Sequence, residues 1–228
     1  MLNIREYYRN TFKVANKELF IGDRCSMRNQ FKIGFGTGEF YDPNSPCYFD
    51  YDIFAFMISQ NGKILSDKHI VFYNSELRVL SSDLGKIVSA SKVPKNYVSA
   101  PVDPELSIIG HFDECTGAIP FEMKPDDEVW DINLSKVHPE VNRIVFCAVI
   151  YDSTNRHQNF GDVPPLFTRF YYHEQQGLDT EYLYLPQEDY SSCGAIELCS
   201  INKVADGWEI TPLSIGHENA ESLINKYV

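Results

Sequence analysis

The sequence predicts an all-β protein, a β-sandwich of two mainly antiparallel sheets with a few short helices. Three observations lead there. Short apolar runs recur along the chain, and turn residues such as Asn155, Gly161, Pro164-Pro165, Gly177 and Asp206-Gly207 separate them. Residues 128–134 alternate, with Val129, Asp131 and Asn133 opposite Trp130, Ile132 and Leu134. Residues 143–151 are nearly all apolar and β-branched, as in a strand buried on both faces. With 43% apolar and 14% aromatic residues in 228, the chain has material for a sizeable core, which excludes global disorder.

In chain order, residues 3–12 predict a short helix with Ile4, Tyr7, Tyr8 and Phe12 on one side. Residues 30–35 read as a strand running into Gly34, Gly36 and Gly38. Residues 50–59 form a strong strand and residues 69–73 another. Residues 76–109 are the least orderly stretch and read as a long insertion between two strands, carrying a small hairpin. After the strand at 128–134, Ser135 is a fair N-cap for a helical turn over 135–141. Residues 166–173, 181–185, 195–201 and 208–213 complete the strands. Residues 218–227 predict a helix, because Ala220, Leu223, Ile224 and Tyr227 recur at helical spacing. The expected organisation is one domain over 30–228, with residues 1–29 a segment of open role packed on it.

The net charge of −12 excludes a nucleic-acid binder, which needs a basic stripe. It suits cation binding or a well-solvated surface. The six cysteines form no C-x-x-C pair and have no histidine at zinc spacing, so reduced thiols in a cytoplasmic protein are expected. The polar amino terminus is not a signal peptide. No apolar run approaches the ~20 residues of a membrane span.

Three acidic elements stand out: Asp50-Tyr51-Asp52, Asp113-Glu114-Cys115-Thr116-Gly117 and Asp126-Asp127-Glu128. Strand alternation places Asp50 and Asp52 on one face, about 7 Å apart. Phe54, Phe56 and Ile58 continue that face, and Ile53, Ala55 and Met57 fill the other, so the acidic pair sits at the open end of a buried strand. Carboxylates gathered there repel each other unless a positive group lies between them. A hard divalent cation, calcium above all, satisfies this with oxygens at about 2.3–2.6 Å. Each element also has a plainer reading: turn residues in water, a capped turn and an exposed charge run. Asn74 offers an amide oxygen or simply starts a turn. This is no EF-hand loop, since Ala55 stands where its glycine is required.

The order of motifs resembles the TerD-domain family of tellurite-resistance and stress-response proteins. Phe49-Asp50-Tyr51-Asp52 with Ala55-Phe56 is similar to its F-D-L-D-x-x-A-F strand. Ser66-Asp67 and Ile70-Val71-Phe72-Tyr73-Asn74 resemble S-D-x-x-F-V-F-Y-N-N, and Asp113-Glu114-Cys115-Thr116-Gly117 resembles D-N-x-T-G. Asp126-Asp127-Glu128 followed by Asp131-Ile132-Asn133-Leu134-Ser135-Lys136-Val137 resembles D-D-E…V-D-L-S-K-V. The run from Ile144 to Asp152, then Arg156-His157-Gln158-Asn159-Phe160-Gly161, is similar to I-V-F-x-V-x-I-Y-D…R-x-Q-x-F-G. The likeness covers residues 30–216. Phe54, Ser75, Glu114 and Lys124-Pro125 depart from it, and the stretch from Asn74 to Asp113 is longer than the family's.

The resemblance implies a calcium-binding β-sandwich in a cytoplasmic, bacterial setting, with a role in chemical-stress or phage defence. Carried over by position, it implies metal ligands drawn from Asp50, Asp52, Asn74, Asp113, Thr116, Asp127 and Glu128, for one or two Ca²⁺ ions. Arg156, Gln158 and Asn159 are implied to shape a loop near the site; their other reading is a polar hairpin connection. Other proteins of a stress-response assembly are the expected partners, and homo-association is possible. No G-x-S-x-G, P-loop or H-E-x-x-H motif occurs, so a non-enzymatic sensor or assembly module is expected. The alternative is a metal-free protein-interaction module of the same fold with degraded calcium sites. A glycoside hydrolase using a carboxylate pair, with Trp130, Tyr171 and Tyr172 stacking sugars, is the weakest reading.

Overall fold

A computed structural model describes residues 4–37, 49–95, 97–111, 126–163, 165–173 and 177–228. Asp113, Glu114, Cys115, Thr116 and Gly117 lie outside the described residues, as do Gly38, Cys47 and Lys124-Pro125. The chain opens with α1 (Ile4–Thr11), β1 (Lys13–Leu19), β2 (Cys25–Ser26), β3 (Gln30–Gly36), β4 (Tyr51–Ser59) and β5 (Ile70–Val71). It continues through β6 (Leu77–Leu80), β7 (Asp83–Ser89), β8 (Ser99–Pro101), β9 (Ile108–Ile109), β10 (Glu128–Asn133) and β11 (Val141–Ile150). The last elements are α2 (Ser153–Arg156), β12 (Phe167–Tyr171), β13 (Asp179–Tyr184), β14 (Ala195–Val204), β15 (Gly207–His217) and α3 (Ala220–Tyr227).

Two six-stranded sheets face each other, in the orders β1-β13-β12-β3-β10-β9 and β2-β15-β14-β11-β4-β5. The pairings are antiparallel except between the edge strand β1 and β13. Between the sheets lie Phe31, Ile33 and Phe35 of β3, Trp130 and Ile132 of β10, Ile53 and Met57 of β4, and Phe146 of β11. The other faces of the central strands are covered as well. Phe54, Phe56, Val145 and Cys147 pack under Leu223 and Tyr227 of α3. Tyr8 of α1 and Phe12 just after it pack on Phe167, Leu183 and Leu185. Burial on both faces is why β4 and β11 read as continuous apolar runs rather than alternating ones. Cys25, Cys147, Cys193 and Cys199 are free thiols.

Residues 76–109 contain β6, β7 and β8, which form a separate three-stranded sheet in the order β7-β6-β8. Its own small core is Val79, Ala100 and Val102.

Three local expectations are corrected. The strand expected over 69–73 is only Ile70–Val71, and His69 ends a 3-10 turn (Asp67–His69). Ser75 explains the shortening: its hydroxyl accepts from Phe72 N (3.0 Å) and donates to Ile70 O (3.0 Å), turning the chain away from the sheet. The helical turn after β10 is the 3-10 turn Leu134–Lys136, and its cap is Asn133, whose Oδ1 accepts from Ser135 N. The final helix begins at Ala220, two residues late, because Asn219 and Ser222 form a capping box.

Candidate metal centre

β4 and β10 belong to opposing sheets, and their acidic first turns meet at one end of the sandwich. Tyr51, paired with Ile150 at the start of β4, donates its hydroxyl to Asp127 Oδ2 across the sheets at 2.8 Å. Thr37 N donates to the same oxygen at 3.0 Å, and Asp127 N donates to Phe35 O at 2.8 Å. Burial, with the neighbouring Asp127 charge, holds the Tyr51 phenol well above its ordinary value, so it stays a neutral donor. One contact thus ties Asp50-Tyr51-Asp52 to Asp126-Asp127-Glu128, 76 positions apart.

Asp52 and Glu128, each only 8% exposed, line a single crevice beside this contact. Tyr73, Arg78, Pro101, His111 and Trp130 complete most of its wall. Its free space, about 10 Å³, is room for one water-sized occupant. Trp130 Nε1 donates to Glu128 Oε2 at 3.3 Å, fixing that carboxylate against the core.

Asp126 has a different job from its two neighbours. Arg169 Nε and Nη2 reach its two oxygens at 2.6 Å each, with both side chains almost fully buried. A bidentate guanidinium–carboxylate pair of this kind is a structural lock. Gly34 makes room for it: a Cβ there would lie 2.3 Å from Asp126 Oδ1.

Asp50 lies 3.9 Å from Arg156 Nη1, and the guanidinium sits 5.2 Å over the Tyr151 ring. α2 is bounded by Asp152 (φ 53°) and His157 (φ 52°), both left-handed, which folds the 151–161 loop tightly. Asn159 accepts from Gly161 N at 2.8 Å and donates to Asp162 at 2.6 Å, while Gln158 N donates to Ser153 O at 3.0 Å. Asn74 is exposed in the turn after β5 and is not among the crevice residues. Asp113 and Thr116 lie outside the described residues. Among the described residues, no three His, Cys, Asp or Glu side chains converge in a ready-made metal cage. The carboxylates brought to this end are hard oxygen donors, which fits calcium as part of an oxygen shell.

Sequence reasoning missed Arg78. A signal was there: between 77 and 101 the chain carries Arg78, Lys86, Lys92 and Lys95 against Asp83 alone, within a protein of net charge −12.

The TerD-domain family model matches residues 25–227. The chain belongs to the TerD-domain family. It is 31% identical over 121 residues to the tellurium resistance protein TerD of Serratia marcescens, covering 53% of this chain. That match spans 48% of the relative, about half of its length. It is 26% identical over 186 residues to general stress protein 16U of Bacillus subtilis (strain 168), covering 82% of this chain and 79% of the relative. A crystal structure of a Streptomyces coelicolor A3(2) homologue of the telluride resistance protein (TerD) superposes with a TM-score of 0.55. It covers 87% of this chain and 95% of that one at 12% identity, a likeness of fold alone. Among the described residues of this TerD-domain chain, no helix is long and apolar enough to cross a membrane.

Proposed function

We propose that this TerD-domain chain is a non-enzymatic calcium-binding module of the tellurite-resistance and stress-response type, acting as a sensor or assembly unit in the cytoplasm. The observation that carries the reading is the Tyr51–Asp127 bond, which gathers two acidic segments from opposing sheets around the crevice of Asp52 and Glu128. Asp50, Asp52, Asp127 and Glu128 would hold the ion, with Asp113 and Thr116 as further candidates. The ion would supply a double positive charge that neutralises this end of the sandwich. The chain's own residues orient the donors: Tyr51 and Thr37 fix Asp127, and Trp130 fixes Glu128. Binding would order the loops at this end and present a rigid surface to partner proteins of a stress-response assembly.

Isothermal titration of chelator-stripped protein with calcium tests this. Saturable heat and a calcium-dependent rise in melting temperature are expected, and both should vanish in Asp52→Asn/Glu128→Gln. Absence of heat and of any melting shift up to millimolar calcium would refute the reading.

A second reading, a metal-free interaction module of the same fold, is favoured by one observation. A cationic residue, Arg78, already lines the crevice. The same titration separates the two.

A further inference from the structure

The accessory sheet builds one wall of the acidic crevice. β6 and β8 pair with Arg78 opposite Pro101, and both residues line the crevice with Asp52 and Glu128. Gly110 lets this wall close in, because a Cβ there would lie 2.7 Å from Pro101 Cγ and 3.3 Å from Trp130. Arg78 is anchored. Its Nη1 donates to Tyr73 O at 2.6 Å, its Nη2 to Ser99 O at 3.0 Å, and its Nε to Ser99 Oγ at 3.2 Å. Two of those acceptors belong to β8, and the third belongs to another crevice residue. A guanidinium keeps its charge throughout the accessible pH range. The inserted stretch therefore delivers a permanent positive charge, on a rigid mount, to the place where carboxylates collect.

We infer that Arg78 is a tethered counter-ion of the acidic crevice: it lets the carboxylates stay together without metal, and calcium binds against its repulsion. The inference rests on the calcium reading above and adds that the accessory sheet tunes that site's affinity. A unit charge lining the same crevice opposes a divalent ion over a few ångströms. It favours the metal-free state by attracting Asp52 and Glu128. The device makes the site weak by construction, suited to answering a large rise in calcium rather than to holding the ion constantly.

The test is calcium titration of the full chain, chelator-stripped, as wild type, Arg78→Gln and Arg78→Lys, with melting curves in parallel. Arg78→Gln should bind calcium about tenfold more tightly than wild type. Its metal-free form should melt lower than wild type at low salt and recover on adding calcium. Arg78→Lys keeps the charge and should stay within about twofold of wild type. Equal affinities for wild type and Arg78→Gln overturn the counter-ion role while leaving the calcium reading intact. Silence in both proteins overturns the calcium reading and this inference with it. Should Arg78→Gln fail to fold, Ser99→Ala carries the test. It removes one anchor of the guanidinium and should tighten calcium binding by a smaller factor; an unchanged affinity overturns the proposal.

Discussion

The TerD-domain chain buries carboxylates in two ways, and Glu197 and Asp126 on one hand, Asp52 and Glu128 on the other, show the difference. Under α3, Glu197 is fully buried and surrounded by its own donors. Lys226 reaches Oε1, His217 Nε2 lies 2.7 Å from the same oxygen, and Tyr227 donates to Oε2 at 2.8 Å. Asp126 is answered just as fully by Arg169. These acids have dedicated partners on neighbouring elements. Around the acidic crevice, Asp127 takes bonds from neutral donors, Thr37 N and Tyr51, while Asp52 and Glu128 line the crevice with Arg78. An acid whose partners are packed around it holds the fold; acids gathered at an open mouth leave room for an exchangeable charge.

The largest effect that separates the two classes is expected at Gly34. Gly34→Ala forces Asp126 off Arg169 and strands both charges, at a cost of about 4 kcal/mol. Glu197→Ala should cost about 3 kcal/mol, because α3 loses the acid that pins Lys226 and Tyr227. By contrast, neutralising Asp52 in metal-free protein should leave stability nearly unchanged or raise it, since repulsion is relieved. Denaturant melts of the three variants decide the matter. A loss at Asp52 as large as at Gly34 would erase the distinction.

Much of this was legible in the sequence. Residues 128–134 alternate because Glu128, Trp130 and Ile132 face the interior, and that period alone located β10. The apolar runs of β4 and β11 announced strands covered on both sides. β1 was not legible: its burial is irregular, only Leu19 is fully buried, and its partner β13 lies more than 150 residues away. Nor could the sequence separate Asp126 from Asp127. The lock on Asp126 comes from Arg169, 43 positions on, and no local pattern points to it. Arg78 failed for the same reason, since its place depends on β8 folding back beside β6.

A pH series probes Glu197 more finely. Burial pushes its carboxyl up, but the bonds from Lys226, His217 and Tyr227 together outweigh that and hold it below its ordinary 4.5. A depressed acid contributes stability that is present above its unfolded value and lost as pH falls through its folded one. The wild type should therefore lose stability progressively below about pH 4.5, and Glu197→Gln should lose less over the same window. The gap between the two melting curves is expected to be widest near neutrality and to shrink in acid. A gap independent of pH would mean that shape, and not charge, holds α3.

The smallest effect tests the hinge of the site. Tyr51→Phe removes one neutral hydrogen bond and leaves the ring in the core, so the cost should be about 1 kcal/mol. Thr37 N still holds the same oxygen of Asp127, which keeps that carboxylate from being stranded. What the variant does remove is a side-chain bond joining β4's acidic turn to β10's, so the donors lose alignment. Calcium affinity should weaken by a few-fold while the apo fold hardly changes. A large stability loss with unaltered calcium binding would reassign Tyr51 to the structural class, alongside Arg169.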